Sequence, residues 1–474
     1  MTGKASGTGL KTALRAGLAA RQRGDRQAAE RIFREILGTH PGQPDALNLL
    51  GVLMAECGRP EDAVDLLTAA AAARPQSDTI PLNLAQALLA ANRAGEAASI
   101  LHALSAAQKP DIRVQHLLAG TLLADRRPRE AAAIARRALK SRPHDPELLT
   151  LLGDALVQSD RPADALPHYE AAIAAMPANA SIYNNLGTAL EKLGRLTEAA
   201  AAFEQALRRA PHHTGARTNL GTVRLRLGEA DAADAEFDRV LNREPHNQRA
   251  IAYRFIARQE AGAMRPEEAR AHLAPLIHEE FLSCPDSFRS LTDFNATLAA
   301  ELYAHPARRQ DVSGTATTGG FDALRLFDHN APALNAFEGR LRSALDRHIA
   351  GLHHEAGHPF LGRQARAWTL DVWATFLKSG GYQFPHIHPS GWISGVYYVQ
   401  VPAAVSSASA DQEGWIEFNR PDESFDYTFQ PEVLLKQPRA GLLLLFPSYA
   451  YHRTIPFESG TDRISIAFDV KPAR

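Results

Sequence analysis

GTALEKLGRLTEAAAAFEQALRRAPHHTGARTNLG, residues 187–221, holds one full period of the first half of the chain. It opens at Gly187 and returns to Gly221, 34 positions later. Ala199 lies 12 positions in, and Pro211 another 12. The same spacing runs back through Gly153, Ala119, Ala85, Gly51 and Gly17. The second small residue recurs at Ala29, Ala63, Ala97, Ala131, Ala165 and Ala233. Proline closes the units at Pro41, Pro75, Pro143, Pro177 and Pro245; in one unit Lys109 holds the register, with Pro110 beside it. Small side chains at a crossing let two antiparallel helices approach closely. Proline ends the second helix, because it lacks an N–H and clashes with the preceding turn. One such pair cannot bury its apolar face, but a stack can. The period therefore predicts seven helix pairs over 10–247, after a flexible start over 1–9. Residues 248–283 read as capping helices and linker: EEARAHLAPL, 267–276, keeps helical spacing but loses the register.

The chain has 474 residues, too many for one compact core. With 52 basic and 53 acidic residues it carries a formal charge of −1, which gives no field to hold a nucleic acid. Two cysteines, Cys57 and Cys284, offer neither a disulfide framework nor a thiolate metal site. The N-terminal stretch has no continuous apolar core of a secretory signal, and runs such as LLLLF, 442–446, are too short to cross a bilayer. The expectation is a cytoplasmic protein that binds neither nucleic acid nor membrane. Its excess of arginine over lysine and its many alanines point to a GC-rich bacterial source.

From residue 284 the repeats stop and aromatic residues become denser. SGTATTGG, 313–320, reads as a loop. Leu334, Phe337, Leu341 and Leu345 then keep helical spacing. ARAWTLDVWATF, WISGVYYVQV, GWIEFNRP, AGLLLLFPS and DRISIAFDV follow as strand-like runs separated by turn residues. Short strands at such spacing predict a sandwich or barrel over 284–474.

The chemistry-bearing residues sit around these strands. FPHIH places His386 and His388 just ahead of WISGVYYVQV. His452 lies 64 residues beyond His388, and Arg463 opens the last strand with Ser465 two residues on. Residues i and i+2 of a strand point to one side, so His386 and His388 can share a metal. A lone HxH is more often surface or structure, and a lone arginine more often a salt-bridge partner; their order on strand ends favours a site. Tyr397 and Tyr398 point to opposite faces, so at most one enters a pocket. Tyr382 is a further candidate, and all three also suit a plain sandwich core.

These patterns resemble two families. The 34-residue units resemble the tetratricopeptide repeat. Residues 284–474 resemble the prolyl-hydroxylase-like 2-oxoglutarate/Fe(II)-dependent dioxygenases, most strongly in GYQFPHIH, SGVYYV and PSYAYHRTIPFESGTDRIS. The resemblance implies an all-α repeat solenoid followed by an α+β domain with a double-stranded β-helix, or jelly-roll, core. It implies Fe(II) on His386, His388 and His452, and 2-oxoglutarate on Arg463, with Ser465 and one of Tyr382, Tyr397 and Tyr398 assisting. It implies O₂-dependent hydroxylation coupled to oxidation of 2-oxoglutarate to succinate and CO₂. His388 departs from the family pattern, which has a carboxylate there; either three histidines hold the metal or only two of them do. A non-catalytic repeat scaffold and a cupin-like metalloenzyme without 2-oxoglutarate are the rival readings. The repeat resemblance further implies that first helices line a groove for a protein or peptide. There Asn83, Asn185 and Asn219 share one repeat position, interrupted by Leu49, Leu117 and Leu151. An amide offers a donor and an acceptor to a peptide backbone; the bland alternative is that neighbouring helices satisfy it.

Overall fold

The computed structural model describes residues 3–106, 111–310, 316–365, 367–405 and 411–473. Lys109, Pro110 and the first part of the expected 313–320 loop lie outside the described residues. The chain forms two compact units, Met1–Pro211 and His212–Arg474.

The first unit consists of helix pairs. They are α1 (Gly3–Gln22) with α2 (Arg26–Thr39), α3 (Pro44–Glu56) with α4 (Pro60–Ala73), and α5 (Thr79–Ala90) with α6 (Ala94–Ser105). Then come α7 (Ile112–Ala124) with α8 (Pro128–Leu139), α9 (Pro146–Gln158) with α10 (Pro162–Ala175), and α11 (Ala180–Lys192) with α12 (Leu196–Arg209). α1 reaches back to Gly3, inside the stretch read as flexible. Leu10 and Leu14 anchor it to the core, and each preceding residue adds to an existing helix without a new nucleus. The crossing residues explain the period. A Cβ on Gly17 would lie 2.4 Å from the Phe33 ring, and one on Gly153 or Gly187 would lie 2.6 Å from Tyr169 or Phe203. Where the first helix carries alanine instead, at Ala85 and Ala119, the residue 16 positions on is the smaller Leu101 or Ala135. A second periodic device escaped the sequence reading. Arg59–Asp62, Arg93–Glu96, Arg127–Glu130, Arg161–Asp164 and Arg195–Glu198 form ion pairs at the starts of successive second helices. Each places its acid in the first turn, where the helix dipole favours it.

The second unit opens with α13 (Thr214–Arg226), α14 (Ala230–Leu241), α15 (Gln248–Glu260) and α16 (Pro266–Leu273). It continues with β1 (His278–Phe281), α17 (Leu291–Ala304), β2 (Arg308–Gln310), β3 (Thr317–Leu324), α18 (Pro332–Gly351), β4 (Trp368–His386) and β5 (Ile393–Gln400). It ends with β6 (Ile416–Phe418), β7 (Leu434–Lys436), β8 (Leu442–Pro447), β9 (His452–Thr454) and β10 (Arg463–Pro472). The strands make one curled antiparallel sheet in the order β1-β8-β5-β10-β4-β9-β6-β7, with β3 also on β4 and β2 on β3. This is a jelly-roll-like arrangement. β4 has three partners: its first part pairs with β10, its end pairs with β9, and β3 pairs with both parts. It bends at Gly380, whose φ of 74° only glycine adopts freely.

One face of the sheet is covered by helices. Ile464, Ile466 and Phe468 of β10 share a core with Leu298 of α17 and Phe337 of α18. Leu334, Phe337, Leu341 and Leu345, the residues at helical spacing, are fully buried. The same core includes Phe237, Ile251 and Ile256 of α14 and α15. Tyr253 meets the Phe425 ring at 5.0 Å, and Glu260 accepts from Thr428 N–H at 2.8 Å. Helices read as the last repeat and its cap are thus part of the sheet's own core.

Three expectations need correction. Thr317–Gly320 is strand, because β4 offers a partner for it. Segment 248–283 is not all helix and linker, since His278–Phe281 pairs with Leu442–Leu445 as an edge strand. HEEF is too short and too charged to signal that strand by itself. The run ARAWTLDVWATF is longer than it reads: β4 continues through Gly381–His386 of GYQFPHIH, and that motif precedes β5 as expected. Among the described residues no helix is long and apolar enough to cross a membrane.

Candidate metal centre

β4 and β9 set two histidines opposite each other. His386 ends β4, His452 begins β9, and the two are register partners. Phe418 of β6 pairs with His452 from the other side. His388 lies two residues past β4, where its backbone N–H donates to Ser448 O at 2.9 Å. Ser448 belongs to the turn between β8 and β9, so one short segment fixes both His388 and His452.

The imidazole centroids lie 4.3 Å apart for His386 and His452, 5.0 Å for His388 and His452, and 5.2 Å for His386 and His388. One ligand atom from each lies within 4.8 Å of the others; among the described residues this is the one such group of His, Cys, Asp or Glu. The other nitrogen of each ring is occupied. His386 Nδ1 meets Phe384 O at 2.8 Å, His452 Nδ1 meets Ala450 O at 3.0 Å, and His388 Nδ1 meets Asp469 Oδ1 at 2.6 Å. Carbonyls and an ionised carboxylate only accept, so each Nδ1 carries a proton and Nε2 is the ring atom left to ligate. Metal-binding histidines are commonly held in this way. Burial, helped by His388, pushes the His386 pKa down to about 3. Burial, helped by both other histidines, holds His452 well below the usual range. Both are neutral at pH 7, as ligation requires.

Asp469 is buried in the middle of the sheet. Burial alone would raise its pKa, but His388 and Ser394 hold it below the ordinary carboxylate range. Ser394 Oγ donates to Asp469 Oδ1 at 2.7 Å and meets Ser448 Oγ at 2.8 Å. A Cβ on Gly391 would come within 2.4 Å of Ser448 Oγ, so this network leaves no room for a side chain at 391.

β10 carries the rest of the site on alternate residues. Arg463, Ser465, Ala467 and Asp469 face one way, while Ile464, Ile466 and Phe468 face the helices. Arg463 is 3% exposed. Its Nη1 donates to Thr454 Oγ1 at 3.0 Å, and its guanidinium lies 5.0 Å from the Tyr398 ring centroid. The buried Nε–H of Arg463 and the buried Tyr398 hydroxyl complete no well-formed hydrogen bond, although the two groups are electrostatic neighbours. Burial lowers the Arg463 pKa, with Tyr398 opposing, and burial raises that of Tyr398. A buried guanidinium with an unused donor suits an anionic ligand. Ala467 stays partly accessible although its strand neighbours are buried.

The structure sorts the candidate residues. His386, His388 and His452 come together. Arg463, Ser465 and Tyr398 share one face, with Ser465 and Tyr398 as register partners. Tyr397 is excluded from that face: its hydroxyl donates to Asn295 Oδ1 of α17 at 2.7 Å. Tyr382 lies opposite Thr318 of β3 and, among the described residues, has no side-chain bond to the histidines or Arg463. The asparagines do not form a free ladder. Asn83 donates to Asn48 Oδ1 at 2.8 Å, Asn185 donates to Asp154 Oδ1 at 2.9 Å, and Asn219 accepts from Arg249 at 3.5 Å. Each of these amides shares a hydrogen bond with a neighbouring first helix. Sequence reasoning missed Asp469, Ser394 and Thr454. The polar positions Arg463, Ser465 and Asp469 at even spacing in the last strand were the available signal.

Residues 371–469 match the family described as "Putative 2OG-Fe(II) oxygenase". Two tetratricopeptide-repeat families match residues 14–78, 116–180 and 150–214, and residues 58–120 and 192–258. No curated protein matches this chain. Among solved structures, a tetratricopeptide repeat protein from Parabacteroides merdae is 13% identical, covering 52% of this chain and 98% of its own, with a TM-score of 0.47. PilF from Pseudomonas aeruginosa is 21% identical over 44% of this chain and 94% of its own, with a TM-score of 0.36. MamA from Desulfovibrio magneticus is 24% identical over 36% of this chain and 97% of its own, with a TM-score of 0.32. By its family matches, the chain carries tetratricopeptide repeats in its N-terminal half and, over residues 371–469, a domain of the family described as "Putative 2OG-Fe(II) oxygenase".

Proposed function

We propose that the protein is an Fe(II)- and 2-oxoglutarate-dependent oxygenase that hydroxylates a C–H bond of its substrate, with the repeats recruiting a protein or peptide. The observation that carries the reading is the convergence of one ring nitrogen from each of three histidines while each Nδ1 meets an oxygen acceptor. Imidazole suits Fe(II), and also zinc, copper and nickel, so the metal is part of the test. Bound iron supplies the O₂ activation that side chains cannot. The chain supplies the rest. His386, His388 and His452 hold the metal. Arg463 binds the far carboxylate of the cosubstrate, and Thr454 fixes the guanidinium. The Tyr398 hydroxyl can donate to the same carboxylate. Phe446 and Phe418, with ring centroids 4.8 and 6.0 Å from that of His452, pack that ligand and exclude water from it. Recruitment by the repeats does not rest on Asn83, Asn185 or Asn219.

The test is succinate formation from 2-oxoglutarate by the iron-loaded full-length protein under air. The reading expects succinate from the wild type and none from His452→Ala. A protein that binds iron but forms no succinate with any cell extract would support the repeat-scaffold alternative. An oxygenase activity indifferent to Arg463→Ala would support the cupin-like alternative.

A further inference from the structure

Asp469 is not among the residues that a metal or a cosubstrate would touch, yet the site is built around it. Two of the three ligand histidines, His386 and His452, place Nδ1 on the backbone carbonyl two residues earlier, which is a neutral acceptor. His388 does not. Its ring turns to Asp469 and makes the shortest of the three contacts, 2.6 Å, as a charge-assisted bond does. His388 is also the residue that stands where the resemblance places a carboxylate.

The Asp469 carboxylate meets His388 and the Ser394 hydroxyl. Among the described residues His388 is its one ion-pair partner. Lys471, two residues on, pairs with Asp371. A buried carboxylate without a permanent cation is unfavourable, and the metal-centre reading places a cation on the far side of the His388 ring. The carboxylate is also rigidly aimed. β10 is paired on both sides, by β4 and β5, and Asp469 is opposite Asp371 and Ser394. The Ser394 hydroxyl occupies the same Oδ1, and the absence of a side chain at Gly391 lets Ser448 close the network.

We propose that Asp469 supplies, through the His388 Nδ1–H, the negative charge that a ligating carboxylate would otherwise place directly on the metal. Asp469 is thus a positioning and charge-donating residue, and His388 is the relay. The proposal rests on the metal-centre reading above. A purely structural Asp469 would only orient the His388 ring, and asparagine would do that as well, since its Oδ1 still accepts from Nδ1–H and Ser394.

The experiment measures Co(II) binding to the full-length protein, anaerobically, by competition with a chromophoric chelator and by the Co(II) visible spectrum. Asp469→Asn should weaken Co(II) by about 10–100-fold, the range for lost outer partners of metal ligands, and shift the Co(II) bands. In a His388→Asp background, where the carboxylate is on the metal itself, Asp469→Asn should cost little or tighten binding, because two adjacent carboxylates repel. Unchanged affinity and spectrum in Asp469→Asn would overturn the proposal, as would an equal loss in both backgrounds. If Asp469→Asn does not fold, the Zn(II)-loaded wild type decides by proton NMR. The His388 Nδ1–H should resonate well downfield of those of His386 and His452, and three similar shifts would refute it. His386→Ala is the control. If it binds Co(II) like the wild type, the metal-centre reading itself fails; if it loses Co(II) while Asp469→Asn does not, only the role of Asp469 fails.

Discussion

Arg463 has one good hydrogen bond, to Thr454, and an unused buried Nε–H. Removing one partner of a buried charge pair costs about 2–5 kcal/mol. Arg463→Ala should therefore raise the half-saturating 2-oxoglutarate concentration by about thirtyfold or more, with Co(II) affinity little changed. Succinate production against cosubstrate concentration measures this, and an unaltered requirement would make Arg463 structural. His348 supports a pH prediction away from the centre. Burial, and then His278 with its ring centroid 4.9 Å away, lowers the His348 pKa to about 4, with Glu280 opposing. The unfolded chain binds this proton below about 6.5 and the folded chain only near 4. Stability should thus fall as pH drops through that window. After discounting for solvent screening, the loss is on the order of 1–2 kcal/mol. Urea unfolding at pH 7 and pH 4.5 should show a smaller difference in His348→Gln than in the wild type; equal differences would clear His348. The three histidines and Arg463 were legible because H-x-H, a late histidine and R-x-S fall on strand ends. Asp469 was not, because one aspartate inside IAFDV has meaning only once β10 lies beside β5 and His388 turns towards it. Tyr397 and Tyr398 could be told apart as opposite faces, but only the sheet shows which face is which.

At the scale of elements, the helix crossings make the sharpest prediction. Gly187→Ala would place a methyl 2.6 Å from the Phe203 ring. Overpacking of this kind costs about 1–3 kcal/mol. Adding Phe203→Leu copies the Ala85 and Leu101 combination that another unit already uses, and should recover part of the loss. Thermal unfolding of the single and double variants tests it; no drop in Tm for Gly187→Ala would mean that the crossing is looser than its geometry. Helix pairs were readable because the period fixes small residues and prolines together. Three-residue strands such as β2, β7 and β9 were not, since their hydrogen-bond partners are distant in sequence. The bend of β4 was hidden for the same reason: the strand continues through Gly380 because β3 pairs with it on both sides of that residue and β9 pairs with its end.

At the scale of the molecule, the boundary at residue 284 suggested by composition cuts through a core. It would remove β1 from β8, and remove Phe237, Ile251 and Ile256 from the cluster that holds Phe376 and Ile466. Residues 212–474 match the compact unit instead. The fragment 284–474 should be insoluble or readily proteolysed, whereas 212–474 should unfold cooperatively; equal protease resistance would contradict a shared core. Composition placed the boundary where aromatic residues become denser, but burial extends further back, because α14 of the last repeat and α15 also share the sheet's core. The claim on which the rest depends is that three histidine Nε2 atoms hold one metal ion. Anaerobic titration of the full-length protein with Fe(II), followed by metal analysis after desalting, tests it most directly. One equivalent should remain on the wild type and close to none on His386→Ala or His452→Ala, with both variants still folded by circular dichroism. Full retention of iron by either alanine variant would contradict it.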